Sequence, residues 1–203
     1  MKKKIVLIVV LITLIIAGII VCIYLKASED SKKPKEVVVT NKIENYGYEL
    51  LDTDTEYYKE LFNKLKNVLD EDTVDDELYA SLVSQLFITD FYTLNNKVSS
   101  SDIGGSIFVL ESVRDNFKLK AKDTLYKTVK SNLYGDRDQE LPVVSKVSID
   151  NISVIKYDAA GITDTKAYSI KCSVTYDTDM GYPTVVKLTL VHNNNKIEIA
   201  KIN

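Results

Sequence analysis

From Ile5 to Leu25 the chain runs 21 residues without a charge, broken only by Thr13, Gly18, Cys22 and Tyr24. At about 1.5 Å of rise per residue, a helix of this length covers ~31 Å, the thickness of a ~30 Å hydrocarbon core. A buried helix of a water-soluble domain keeps a polar stripe, and this run has none. The pattern therefore predicts a membrane helix. A cleaved leader also needs a basic start, which Lys2, Lys3 and Lys4 supply. Its apolar region, however, is only ~7–15 residues long and ends in a small-x-small site, whereas this run continues through Val21, Ile23, Tyr24 and Leu25. Lipid attachment at Cys22 would call for a small residue before it, and Val21 stands there.

The pattern after the run is of a different kind. Residues 26–44 are polar, lysine-rich and contain Pro34, which predicts a tether, with the folded domain at 45–203. Thr53-Asp54-Thr55-Glu56 has the form of a capping box, and Tyr57, Tyr58, Leu61, Phe62, Leu65, Val68 and Leu69 follow at helical spacing. Thr73 and Asp76 repeat the start signal, and Leu78, Tyr79, Leu82, Val83, Leu86 and Phe87 mark one face of a second helix fading near 91–94. Asn95 to Gly105 has turn chemistry. Residues 107–119 fit a helix or an extended segment, and Ala121, Leu125, Val129 and Leu133 predict a third helix capped by Gly135.

Beyond Pro142 the period becomes two. Tyr168, Ile170, Cys172, Val174 and Tyr176 alternate with Ala167, Ser169, Lys171, Ser173 and Thr175, as in a sheet with one wet face. Residues 143–157 predict a long first strand with a phase slip near Asn151, Val186, Leu188 and Leu190 another strand, and Ile197 and Ile199 the last, after an asparagine turn. The fold class expected is α+β: an N-terminal transmembrane helix, then about three helices on a curved four-stranded antiparallel sheet.

Composition and charge narrow the function classes. The 203 residues are 45% apolar and 27% charged, with 7 Gly, 2 Cys and one His, which excludes collagen-like chains and disulfide scaffolds. Lysines flank both ends of the apolar run, so charge alone does not orient it. The cost of moving Lys2 to Lys4 across the bilayer favours residues 1–4 inside and the domain outside, as a single-pass cell-membrane protein. The exported part then has 23 basic and 29 acidic residues. That surface argues against nucleic acid as a partner. Only Cys172 lies outside the run, so no disulfide forms within one chain. Gly18 and Cys22 give a small-xxx-small spacing that can pair membrane helices.

Candidate chemistry is sparse. His192 lacks a second histidine with which to build a zinc site or a triad, and it reads as a strand-end residue. Residues 70–77 (DEDTVDDE) hold six acids but lack the glycine and ligand order of a calcium loop. Acids ahead of a helix explain them more directly, through capping and the dipole. Gly104-Gly105 alone makes no phosphate loop. Catalytic residues, cofactors and metals are therefore expected to be none. Tyr168 and Tyr176 are the candidate pocket-lining residues, although such rings more often fill a core.

Three amphipathic helices followed by a long meander behind one anchor resemble membrane-tethered nuclear-transport-factor-2-like domains. Among these the order is most similar to the bitopic assembly subunits of type IV secretion and Gram-positive conjugation machines, over about residues 45–203. The stretch from Leu86 to Val109 (LFITDFYTLNNKVSSSDIGGSIFV) also looks like one in uncharacterised membrane-anchored proteins of low-GC Gram-positive bacteria. The resemblance implies a non-enzymatic module that makes protein contacts or self-associates in an envelope assembly. A small-ligand or peptide pocket is the alternative, and an isomerase or dehydratase a third reading, since folds of this type serve all three.

Overall fold

The computed structural model describes residues 14–26, 34 and 36–203. The chain divides into two units, Met1–Glu36 with Leu133–Asp136, and Val37–Asn132 with Arg137–Asn203. In the first, residues 14–26 form helix α1, with every side chain exposed. Among the described residues no helix is long and apolar enough to cross a membrane. The span expected from Ile5 to Leu25 lies partly outside the described residues, so the transmembrane part of the expected architecture has no support from the fold itself.

The second unit is α+β, as the change of period after Pro142 implies. It opens with a hairpin, β1 (Val39–Ile43) and β2 (Tyr48–Leu51), joined through a 3-10 turn that Gly47 closes at φ +66. Strand β1 thus lies inside the stretch assigned to the tether, ahead of residue 45. Tyr48 and Leu50 are buried, and this supplies the apolar contact that a bare polar linker would lack.

Helix α2 (Glu56–Leu69) starts where the capping signal lies, with the Tyr58 amide donating to Thr55 Oγ1 at 3.2 Å. It buries Tyr58, Leu61, Phe62, Leu65 and Leu69, one stripe at i, i+3, i+4. Each such side chain stabilises the fold by about 1.5–3 kcal/mol. Helix α3 (Asp76–Tyr92) is capped by Asp75 Oδ1, which accepts the Leu78 amide at 3.0 Å. It lies between α2 and the sheet and is buried on more than the one face expected, down to Ser84 and Thr89. Those hydroxyls donate to the carbonyls of Ala80 and Gln85 four residues back, so their burial leaves no unmet hydrogen bond.

The third helix differs from expectation. Helix α4 spans Glu111–Asp123, and Leu125, Val129 and Leu133 fall beyond its end. Tyr126 explains the break. Its fully buried ring sends the hydroxyl to the Phe91 carbonyl at 2.7 Å, and that contact holds the chain in turns. Gly135 sits in a turn at φ +74 and caps no helix. Phe117 of α4 packs on Phe87 and Phe91, with ring centroids 5.8 and 5.1 Å apart.

The sheet is the expected antiparallel meander, β3 (Val144–Ala159), β4 (Ile162–Tyr176), β5 (Val185–Asn193) and β6 (Lys196–Ile202), in that spatial order. The ladder of β3 slips between Ile149 and Asn151, as the sequence phase predicts. Ile170, Cys172, Val174, Leu188, Leu190 and Ile199 face the helices and are buried. Burial pushes the Cys172 thiol up to about 12, with Asp150 adding to the shift, so it is inert near neutral pH. Beyond the β4–β5 ladder, β3 and β4 continue as a two-stranded ribbon. Its base packs on a small second core of Leu110, Ala167, Val191 and Ala200.

Candidate functional site

A cavity of about 470 Å³ lies between the β1–β2 hairpin, the start of α2, the end of α3 and the loop at 96–107. It is assembled by a loop whose polar sequence hides how firmly it is held. After α3 the Leu94 amide donates to the Pro142 carbonyl at 3.0 Å, and the Lys97 amide to Leu94 at 3.2 Å. Arg137 then clamps the outside of the turn, donating to the carbonyls of Lys97 at 2.8 Å and Asn95 at 2.5 Å. As a result Lys97 is only 5% exposed, and its ammonium pairs with Asp90 on the last turn of α3.

The other Asp90 oxygen accepts the Gly105 amide at 2.5 Å. This contact requires the glycine pair. A Cβ on Gly104 would lie 2.3 Å from the Asp90 carbonyl oxygen. One on Gly105, already at φ +70, would lie 2.7 Å from the Phe87 ring. Tyr126 joins the knot, accepting the Gly104 amide at 3.1 Å.

Asp54 faces the same cavity from the start of α2, its Oδ2 accepting the Leu51 amide at 2.7 Å. Burial lifts its carboxyl to about 6, against the lowering pull of that amide and with the Asp90 charge adding to the rise. Tyr58 is buried beside both acids, and burial raises its hydroxyl well above the ordinary value. Asn96 donates to the Thr53 carbonyl at 3.3 Å, leaving its buried Oδ1 without a partner. With Glu49 and Asp102 also on the wall, the cavity presents carboxylates around one committed ammonium. That chemistry suits a polar ligand carrying donors or positive charge. No group of three His, Cys, Asp or Glu placed to hold a metal occurs among the described residues.

A second polar cluster joins the ribbon to α3. Asp164, buried at the end of the β5 ladder, accepts the His192 amide at 2.8 Å, the Lys166 amide at 2.8 Å and His192 Nδ1 at 2.9 Å. Burial opposes its ionisation, but these hydrogen bonds outweigh burial and hold the carboxyl below its ordinary value. His192 Nε2 lies 3.6 Å from Asp76 on the first turn of α3. The strand-end histidine of the sequence is thus a link between layers.

Tyr168 and Tyr176 do not meet. Tyr168 packs beside His192, with centroids 5.7 Å apart, while the Tyr176 hydroxyl donates to the Pro183 carbonyl at 2.9 Å. They share a face of β4 but sit near opposite ends of its β5 pairing, and neither lines the 470 Å³ cavity. Sequence reasoning missed Asp54, Asp90 and Lys97. One signal was available: Lys97 is the only charged residue between Asp90 and Asp102.

No family model, curated protein or solved structure matches this chain. The likeness to nuclear-transport-factor-2-like domains accordingly rests on element order alone.

Proposed function

We infer that this is a single-pass membrane protein whose folded unit is a non-enzymatic contact module of a cell-envelope assembly. The carrying observation is a lysine row on the sheet. Leu110 and Val113 cover one end of the face turned away from α3, over Ala167 and Val191, and on the rest of it Lys171, Lys187 and Lys201 are exposed across three neighbouring strands. Beyond Val144 and Val147, whose backbone groups are met by Thr93, Tyr57 and Gln85, the edge of β3 pairs with no further strand among the described residues. The membrane anchor draws support from the uncharged run at 5–25, and from the exposed apolar side chains of α1. Photoreactive residues at 171 and 187 of the full chain in cells test this reading. Discrete adducts are expected there and not from position 64 on α2; equal labelling from all three overturns it. External protease should digest residues 37–203 in intact cells, and full protection would reverse the orientation.

The cavity favours a second reading, a pocket module for a small polar ligand or peptide, because Asp54 stays within it as a carboxylate near pH 7 without a cation of its own. A ligand of that kind would raise the unfolding temperature of the wild-type chain and leave Asp54→Asn unchanged. Equal shifts in both would remove this reading.

A further inference from the structure

Two features of the folded unit are electrostatically unfavourable where they stand, and they have opposite sign. On the open sheet face Lys171 of β4 lies directly opposite Lys187 of β5, and Lys201 of β6 pairs with Thr189, the next outward position along β5. Like charges directly across a ladder destabilise it. All three side chains are exposed, and none is in an ion pair among the described residues. Asp150 accepts the hydroxyl of Ser173, the next outward position along β4 from Lys171, at 2.8 Å.

The second feature is the turn between α2 and α3. Asp75, Asp76 and Glu77 sit at the N-terminus of α3, where acids cap amides and oppose the helix dipole. That explanation fails for Asp70, Glu71 and Asp72. Asp70 is the C-cap of α2, so these three acids crowd the negative end of its dipole. They are exposed and unpaired among the described residues. The turn belongs to the helix layer and the lysine row to the opposite side of the sheet, so the two cannot neutralise each other within one unit.

We propose that the acidic turn of one copy docks on the lysine row of the next, so that the chain assembles head to tail. This rests on the contact-module reading and names the partner as a second copy. The two surfaces differ, so the contact is heterologous and propagates as a row, or closes as a ring if the rotation allows. Anchored copies share a plane, which confines the encounter to two dimensions. Each contact brings three carboxylates to three ammoniums that have no partner at home. It relieves both local repulsions together, and it weakens with salt as screening shortens from ~10 Å at 0.1 M to ~3 Å at 1 M.

The test uses the full chain, unlabelled and 15N-labelled copies mixed in phosphatidylcholine vesicles, with zero-length carbodiimide crosslinking read by mass spectrometry. Mixed-isotope isopeptides joining Lys171, Lys187 or Lys201 to Asp70, Glu71 or Asp72 are expected, with a yield that falls as salt rises. Reversing the row (Lys171→Glu with Lys187→Glu) should lower that yield about tenfold. Mixing that variant with copies carrying Asp70→Lys, Glu71→Lys and Asp72→Lys should restore it. Lys187→Gln, which only removes a charge, should give an intermediate loss and guards against a folding defect. Absence of mixed-isotope links, or failure of the charge swap to rescue, overturns the proposal. So does a row that binds phosphatidylglycerol vesicles with no inter-copy links. Links in cells that join the row only to a different protein overturn the second-copy partner and leave the contact-module reading standing.

Discussion

The Asp90–Lys97 pair and the Asp164–His192 pair both tie a carboxylate to a nitrogen base, and they are built for different loads. In the first, the Lys97 side chain is 7% exposed and its Asp90 partner 20%, with the glycine loop pressed against the acid from the other side. In the second, the His192 side chain is 30% exposed, and Asp164 keeps two backbone amides whether or not the ring is present. A charge whose only cover is its partner becomes a liability once the partner is lost. A charge held by the backbone survives that loss. The first pair therefore closes the cavity wall, and the second trims the join between ribbon and helix layer.

The sharpest way to break this contrast is to remove Asp90. Asp90→Asn leaves the Lys97 ammonium buried and uncompensated, at an expected cost of about 3–5 kcal/mol. Gly104→Ala should approach the same size, because the added Cβ meets backbone and not a movable side chain. Urea unfolding of the full chain in a non-ionic detergent measures both. A cost under about 1 kcal/mol for either would mean that the loop moves away freely, and the Asp90–Lys97 knot would lose its distinction from the Asp164–His192 clasp.

Asp54 sharpens the contrast with an effect of opposite sign. Its folded carboxyl titrates near 6 and its ordinary value is 3.8, so between these the folded state holds more protons than the unfolded one. Stability therefore falls as pH rises from about 4 to 6 and stays lower above that. Asp54→Asn should remove this slope and stabilise the protein at pH 7 by about 1–2 kcal/mol, a figure that allows for partial solvent access. Unfolding midpoints at pH 4.5 and pH 7 check it. A variant that retains the wild-type slope would place the titration elsewhere.

What was legible in the sequence follows the range of the forces involved. Thr55 ahead of a 3.6-period run gives α2, and strict alternation from Ala167 to Tyr176 gives β4, because capping and pleat are local. The slip near Asn151 shows for the same reason, as a break in phase on one strand. The β1–β2 hairpin does not show. Tyr48 and Leu50 are too few to set a period, and their burial depends on neighbours such as Phe108, 5.0 Å from Tyr48. Leu125 and Val129 continue a helical spacing, yet Tyr126 between them is drawn to a carbonyl 35 residues away. The cavity was hidden in the same manner. Asp54, Asp90 and Lys97 come from three segments, and the Asn95–Gly105 stretch reads as an ordinary turn until α3 lies beneath it.

At the clasp, His192→Ala removes one hydrogen bond to a carboxylate that retains two others, so a loss of about 1 kcal/mol is expected. Asp164 gives the pH signature. Its carboxyl lies below the ordinary value, so its contribution is present above about pH 4 and is lost as pH falls through the lower folded value. His192→Ala should weaken that acid-side loss without abolishing it. A loss of 3 kcal/mol or more would make the ring the sole support of Asp164, and clasp and knot would then be one kind of site.

The smallest effect is expected at the lysine row of the sheet, where the Lys171, Lys187 and Lys201 side chains are exposed. Lys187→Glu turns the like-charge pair with Lys171 into an opposite-charge pair across the ladder. It should stabilise the folded unit by about 0.2–1 kcal/mol, an effect that fades in high salt. Unfolding of the unassembled chain at 0.05 M and 1 M salt separates this gain from any change in association. A variant that is less stable at low salt would show that the lysine row supports its own sheet. The row would then have a structural reason to be where it is, and its repulsion would no longer distinguish it from the satisfied charges of the knot and the clasp.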